Sequence, residues 1–111
     1  MGESMQKPGL YWQKNVMVSL NLIQAAVDDG CIDFVFSSTC VTYGEQDNVI
    51  LDEHSVQHPI NAYEASKPAV ENIFADFGAA YGLNSVIFRY FNVAGVDPEG
   101  EVVNFTSAKC I

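Results

Sequence analysis

The sequence predicts an α/β fold with two parallel strands and two long helices, which together form an incomplete doubly wound sheet. Two observations predict it. Two short runs rich in β-branched and aromatic residues each follow a segment with helical spacing of its apolar residues. A long polar stretch and a helix separate the two runs, so the strands should be parallel with a right-handed crossover.

The first helix is expected from about Gly9 to Asp29. Apolar residues recur there at intervals of four, four, three and four, which places them on one helix face: Trp12, Val16, Leu20, Ile23 and Val27. Leu22 and Ala26 widen that face. Pro8 suits the start of a helix, and Gly30 is a plausible end.

Both strands are expected to be buried, because neither shows clean alternation of apolar and polar residues. The first spans 32–37 and the second spans 85–91. Between the first strand and the next helix, from Ser38 to about Ile60, the chain is polar and irregular. A loop of that length in a compact domain is more often functional than idle.

The second helix is expected over Ala62 to Tyr81, with Asn61 as its N-cap and Gly82 as its end. Glu64 is placed to complete a capping box. Pro68 lies inside this helix, where proline removes an amide hydrogen bond at a cost of about 3 kcal/mol. The sequence therefore predicts a kink, or a first turn that breaks before position 68.

Composition bounds the function. The 111 residues allow one domain, and 49% apolar residues are typical of a globular protein. Five basic residues against 14 acidic ones give a net charge of -9, which disfavours nucleic acid and anionic membranes as partners. Three cysteines without framework spacing, and no secretory signal or membrane-spanning run, indicate a cytoplasmic protein with reduced thiols.

Tyr63 and Lys67 are four residues apart at the start of the second helix, so both lie on one helix face. A phenol has a pKa near ~10, and a nearby ammonium lowers it toward the range of a useful base. Thr39, at the end of the first strand, is expected to offer a hydroxyl to the phenolate or to a substrate oxygen. An ordinary surface tyrosine and lysine are the alternative, which the strand ends on either side of this helix make the weaker one.

The sequence resembles the extended short-chain dehydrogenase/reductase superfamily, and within it the UDP-glucose 4-epimerases. Residues 2 to about 100 carry the resemblance, through these motifs in fixed order: Glu3-Ser4 with Lys7-Pro8, Tyr11 with Asn15-Val16, Phe36-Ser37-Ser38-Thr39-Cys40, Tyr43-Gly44, Pro59-Ile60-Asn61-Ala62-Tyr63, Ser66-Lys67, and Arg89-Tyr90-Phe91-Asn92-Val93-Ala94-Gly95 with Asp97-Pro98. The related sugar 4,6-dehydratases carry Thr-Asp-Glu where this chain has Thr39-Cys40-Val41, which favours an epimerase.

The resemblance implies a partial Rossmann-like, NAD-binding fold and epimerisation at carbon 4 of a UDP-sugar through a 4-keto intermediate. Tyr63 would take the proton of the 4-hydroxyl, Thr39 would bridge the 4-oxygen and the tyrosine, and Lys67 would hold the cofactor ribose. The other implied NAD-binding residues are Asn15, Ser37, Ser38 and Tyr90. Phe91 and Asn92 would contact the nucleotide sugar. The helices near 9–29 and 62–81 match those that pair in the family's homodimers.

The chain departs from the family in two ways. Its 8 glycines show no Gly-x-x-Gly-x-x-Gly turn for the NAD phosphates, and residues 101–111 no longer follow the family. Residues 1–100 are therefore interpreted as the central part of a larger domain, and activity of this chain alone is expected to be impaired. A catalytically silent association module and a UDP-pentose or UDP-N-acetylhexosamine epimerase remain alternatives. His54 and His58, weighed as a metal pair with Cys40, are interpreted as loop residues, and no metal site is expected.

Overall fold

The computed structural model describes residues 2–46 and 50–91. Asn92 and the 101–111 tail lie outside these residues. The elements in chain order are helix α1 (Gly2–Gln6), helix α2 (Pro8–Tyr11), a π-helical segment (Trp12–Met17), helix α3 (Val18–Asp28), strand β1 (Asp33–Thr39), a 3-10 turn (Cys40–Tyr43), helix α4 (Ala62–Tyr81) and strand β2 (Asn84–Tyr90). The α/β class is confirmed.

The two strands form one parallel sheet, as predicted. The register runs from Asp33 beside Asn84 to Thr39 beside Tyr90. Strand β1 continues two residues beyond the predicted end, so that Ser38 and Thr39 belong to the strand rather than to the loop. Both are therefore held by the backbone hydrogen bonds of the sheet.

The expectation that both strands are buried is wrong for one face of the sheet. One face packs on the helices through Phe34, Phe36 and Ile87. The other face is open, and Val35 and Val86 are 64% and 53% exposed. Helices α3 and α4 both pack on one side of the sheet, and the pleat sends alternate side chains to the opposite side, which no described helix covers.

The core lies between the sheet and helices α3 and α4. It centres on Ile23, Val70, Phe74 and Leu83, all of which are buried. The Phe74 ring lies 5.0 Å from Phe34 and 5.3 Å from Phe36, measured between ring centres.

Part of the predicted face of the first helix lies outside this core. Val16 and Val27 pack against it, but Trp12 is 41% exposed, and Leu20 and Leu22 are exposed as well. Trp12 begins the π-helical segment, where hydrogen bonds span five residues. Its turn holds more residues than an α-helical turn, so the residues before it are rotated about the helix axis relative to those of α3. The segment also divides the single predicted helix into α2 and α3.

Helix α4 has the predicted bounds. The Asn61 side chain accepts a hydrogen bond from the Glu64 amide at 2.9 Å, which confirms the N-cap. Glu64 reaches back to the cap, but it accepts from the Ile60 amide at 2.9 Å and from the Asn61 side chain at 2.7 Å. Gly82 ends the helix with a φ of 73°, in the left-handed region that glycine tolerates.

Pro68 does not break the helix before position 68, so that alternative is wrong. Helix α4 is continuous from Ala62 to Tyr81 with Pro68 inside it. Proline removes a single amide bond, whereas the buried Val70 and Phe74 hold the following turns on the core. In the described part of the chain, no helix is long and apolar enough to cross a membrane.

Candidate active site

Tyr63 and Lys67 lie together on the first turns of α4, as their spacing predicts. The Lys67 Nζ atom lies 6.0 Å from the centre of the Tyr63 ring and 5.4 Å from the centre of the Phe36 ring. Tyr63 is 37% exposed, and Lys67 is half-buried. The helix therefore presents a phenol at the surface with an ammonium beside it.

Lys67 is surrounded by aromatic rings rather than by carboxylates. Burial lowers the pKa of the Lys67 ammonium, since an apolar environment disfavours the charged form. Within the described ranges Lys67 forms no ion pair; the ion pairs there join Lys7 to Glu3 and Arg89 to Glu71. The contacts of the ammonium in the described structure are with these two rings.

Tyr63 and its helix turn are contacted by α2 and the π-helical segment. The Tyr11 ring packs edge-on against the Tyr63 ring, with ring centres 6.1 Å apart. The Asn15 side chain donates to Ser66 Oγ at 2.9 Å, and Ser66 donates to the Tyr63 backbone carbonyl at 2.7 Å. The Asn15 side-chain amide is therefore hydrogen-bonded to α4. The role of Asn15 in cofactor binding remains a prediction.

Thr39 is the last residue of β1 and starts the 3-10 turn. Its Oγ1 atom accepts from the Val41 amide at 3.4 Å, and its carbonyl accepts from Thr42 at 3.1 Å. The sheet places Thr39 directly beside Tyr90. Tyr90 is exposed and stacks on Phe88, with ring centres 5.8 Å apart. Thr39 is predicted to contact the substrate and Tyr90 to bind the cofactor. The two residues thus lie at the ends of neighbouring strands.

The two serines predicted to bind the cofactor lie on opposite faces of the sheet. Ser37 is exposed on the open face, next to Val35 in the alternating pattern. Ser38 is buried and donates to Glu71 at 2.6 Å. The hydrogen of the Ser38 hydroxyl is therefore used in a bond within the protein. Phe91 follows β2 and is exposed, whereas Asn92 lies outside the described residues.

A buried polar network that the sequence reasoning missed lies behind the site. Its centre is the ion pair of Glu71 with Arg89, at 2.7 Å between Glu71 Oε2 and the Arg89 guanidinium. Gln57 donates to the same carboxylate at 3.1 Å, and Arg89 also donates to the Tyr43 hydroxyl at 2.8 Å. The sequence held one signal: an arginine inside an otherwise apolar strand needs a buried acidic partner.

The charges of this pair stabilise each other. Burial would raise the pKa of the Glu71 carboxyl, but hydrogen bonds from Arg89, Ser38 and Gln57 outweigh burial and lower it. The hydrogen bond to Glu71 raises the pKa of Arg89. Glu71 is thus a carboxylate at neutral pH although it is only 8% exposed.

An open pocket of about 350 Å³ lies beside this network. It contains Phe91 but none of Tyr63, Lys67 or Thr39, and its lining is Tyr43, Leu51, Asp52, Glu53, Ile87, Arg89 and Phe91. His54 and His58 are exposed. Across residues 2–46 and 50–91, no three histidine, cysteine or acidic side chains are grouped so as to hold a metal ion.

The chain is similar to known proteins in both sequence and structure. A model of the NAD dependent epimerase/dehydratase family matches residues 1–109. The chain is similar to a UDP-glucose 4-epimerase of Rhizobium meliloti (strain 1021), with 47% identity over 102 residues, which cover 92% of this chain and 31% of that protein. The chain thus spans about a third of that relative's length.

Two solved structures resemble the chain in backbone as well. One is a UDP-glucose 4-epimerase from Brucella ovis in complex with NAD, with a TM-score of 0.85 and 39% identity over 91% of this chain and 31% of that one. The other is a UDP-N-acetylglucosamine 4-epimerase from Methanobrevibacter ruminantium M1, with a TM-score of 0.80 and 34% identity over 91% of this chain and 34% of that one. The Rossmann-like architecture is therefore shown.

Proposed function

Because the chain belongs to the NAD dependent epimerase/dehydratase family, we propose that it supplies the catalytic centre of a UDP-sugar 4-epimerase. The reaction is inversion at carbon 4 of UDP-glucose or UDP-galactose through a 4-keto intermediate. One observation carries the proposal: Tyr63 and Lys67 share the first turns of α4, with the Lys67 Nζ atom 6.0 Å from the Tyr63 ring. This arrangement suits proton transfer to and from a sugar hydroxyl.

In this proposal Tyr63 takes the proton of the sugar 4-hydroxyl and later returns it. The phenol is exposed enough to meet a substrate, and Tyr11 fixes the orientation of its ring. The Lys67 ammonium stabilises the phenolate form of Tyr63, which is the form that takes up the proton. Thr39, at the end of β1, orients the 4-oxygen through its hydroxyl. These roles rest on the position of each residue at a helix start or a strand end.

The donors at this corner suit the nicotinamide and ribose end of NAD. An ammonium and a phenol can bind ribose hydroxyls, and the exposed rings of Tyr63 and Tyr90 offer apolar surface to a flat base. NAD, when bound, supplies the acceptor and then the donor of hydride for carbon 4. The glycine spacing of this chain lacks the turn that binds the pyrophosphate. This chain would therefore hold one end of the cofactor.

A second candidate is a catalytically silent association module. The open face of the sheet favours it, since Val35, Val86 and Phe88 are exposed there. Family-type homodimerisation through α3 and α4 is also proposed, supported by the exposed Val18, Leu22 and Tyr81. We propose the cytoplasm as the location, because nucleotide sugars and reduced thiols such as Cys31 fit that compartment.

The test is a chimera in which residues 1–100 replace the matching segment of the Rhizobium meliloti relative. We expect the chimera to convert UDP-galactose to UDP-glucose. Tyr63→Phe in the chimera should lower kcat about 10²–10⁴-fold, the usual contribution of general acid–base catalysis. Tyr81→Phe, at the far end of α4, is the matched control and should retain the rate.

Three outcomes separate the candidates. An active chimera that loses its activity with Tyr63→Phe supports the epimerase proposal. A folded, NAD-binding chimera without activity favours the silent module. Turnover of UDP-arabinose or UDP-N-acetylgalactosamine in preference to UDP-galactose would reject the hexose substrate while keeping the reaction.

A further inference from the structure

The Glu71 carboxylate contacts the immediate neighbours of two residues of the candidate site. Its Oε1 atom accepts from Ser38, which directly precedes Thr39. Both of its oxygens accept from Arg89, which directly precedes Tyr90. Glu71 also lies one helical turn after Lys67. The Glu71 side chain therefore connects α4 to both β1 and β2. Its partners on the strands are each one residue from Thr39 or Tyr90, and Glu71 itself is one helical turn from Lys67.

The polar groups around Glu71 have their partners. Arg89 donates to the Glu53 carbonyl at 3.0 Å as well as to Tyr43, and Gln57 bridges Glu71 and Thr42. Among the described residues, no buried side-chain nitrogen or oxygen lacks a hydrogen-bond partner. A buried network in which every member is satisfied fixes one arrangement of the elements that it joins.

The Thr39 hydroxyl, in contrast, is weakly held by its own contacts. Its hydrogen bond from the Val41 amide is 3.4 Å long, at the limit for such a bond. The position of Thr39 therefore depends on where the end of β1 is held relative to α4. The 2.6 Å bond between Ser38 and Glu71 is a direct side-chain link between these two elements at that point.

We propose that Glu71 is a positioning residue of the candidate site, which sets the place of Thr39 relative to Tyr63 and Lys67. The inference rests on the proposed function for its catalytic meaning. Glu71 itself touches none of the groups that would react. It acts through Ser38 on the strand end and through Arg89 on the neighbouring strand.

Amide hydrogen exchange and amide NMR shifts of the 111-residue chain, without NAD or sugar, test this inference. The variants are Ser38→Ala, which removes one donor to Glu71, and Glu71→Gln, which keeps the shape and removes the charge. Ser37→Ala, the neighbouring serine on the open face, and Asp76→Asn, exposed on α4, are the matched controls. Urea unfolding measures the global stability of each variant.

We expect Ser38→Ala to raise exchange of the Thr39–Tyr43 amides about tenfold relative to those of Val70 and Phe74, since a bond to a charged group is lost. Glu71→Gln should raise it further, and both should shift the Thr39 and Val41 amide signals. Neither control should do so. The readout is local, so a role in overall stability alone would not produce it.

Two results would overturn the inference. Unchanged exchange and shifts at Thr39–Tyr43 in Ser38→Ala would show that Glu71 does not hold the strand end. Exchange that rises equally at Thr39–Tyr43 and in the α4 core would reduce Glu71 to a stabilising residue. Because no ligand is present, failure here is independent of the chimera assay, and an inactive chimera does not alter this result.

Discussion

Two neighbouring stretches of α4 use their polar side chains in opposite ways. At the start of the helix, Tyr63 is exposed and Lys67 has two aromatic rings and no carboxylate beside it. One turn later, Glu71 is buried and accepts hydrogen bonds from three side chains. The polar side chains of the first stretch are partly exposed, whereas the Glu71 carboxylate in the second is hydrogen-bonded within the protein.

Under the proposed function, one helix therefore carries both the candidate site and the network that supports it. Groups that must exchange protons with a substrate have to stay accessible, so they add little to stability. The buried polar groups of the network around Glu71 are hydrogen-bonded to one another and can hold the strands rigidly. Substitutions in the two stretches should therefore differ in how much they lower the free energy of unfolding.

The largest expected effect is that of Arg89→Ala. The change leaves the Glu71 carboxylate buried without its cationic partner, which should lower the free energy of unfolding by about 3 kcal/mol. Urea unfolding followed by circular dichroism measures it, with the exposed Lys14→Ala as the control. A decrease in the free energy of unfolding of less than about 1 kcal/mol is what an exposed ion pair contributes. That result would mean that the Glu71 stretch is no more important for stability than the Tyr63 stretch.

The second prediction concerns pH. Glu71→Gln should cost about 2 kcal/mol at pH 7, since hydrogen bonds to a charged group are lost. The pKa of Glu71 is lowered when the chain folds, so its stabilisation is present above the ordinary value of 4.5 and is lost as pH falls through the folded value. The stability gap between wild type and variant should therefore close in acid.

Urea midpoints between neutral and strongly acidic pH measure that gap, with Asp76→Asn as the control. A gap that stays constant down to strong acid would mean that Glu71 contributes no charge to the network.

A smaller effect is expected at the helix start itself. Asn61→Ala removes the cap that accepts from the Glu64 amide and donates to its carboxylate, at an expected cost of about 1 kcal/mol. Asn72→Ala, exposed in the middle of α4, provides the comparison. An equal response of the two asparagines in thermal unfolding would show that the cap does not hold the helix start.

The smallest effects are expected for the candidate catalytic residues. Tyr63→Phe and Lys67→Met should change the free energy of unfolding by no more than about 0.5 kcal/mol, since the phenol is exposed and the lysine has no ion pair in the described structure. Urea unfolding again provides the measurement. A loss above about 1.5 kcal/mol in either variant would assign these residues to the structural part of the helix.

Local rules predicted most of α4 and the parallel sheet. The N-cap Asn61 and the terminal Gly82 act within one or two turns, and they set the bounds of the helix. Pro68 misled the same reasoning, because one missing amide bond is outweighed by the packing of the turns that follow.

The sequence reasoning also missed the π-helical segment. Its hydrogen bonds are close in sequence, but no residue pattern in Trp12–Met17 distinguishes it from an α-helix. The network of Glu71, Arg89 and Ser38 was missed because its members are 18 and 33 residues apart, and only the fold brings them together.

The sequence by itself determined the α/β class, the bounds of α4, the shared face of Tyr63 and Lys67, and the family resemblance, because each depends on spacing along the chain. The tertiary structure decided which face of the sheet is open, where Ser37 and Ser38 point, and what holds the end of β1. Those features depend on which elements come together in space, and burial then forces their polar groups to find partners.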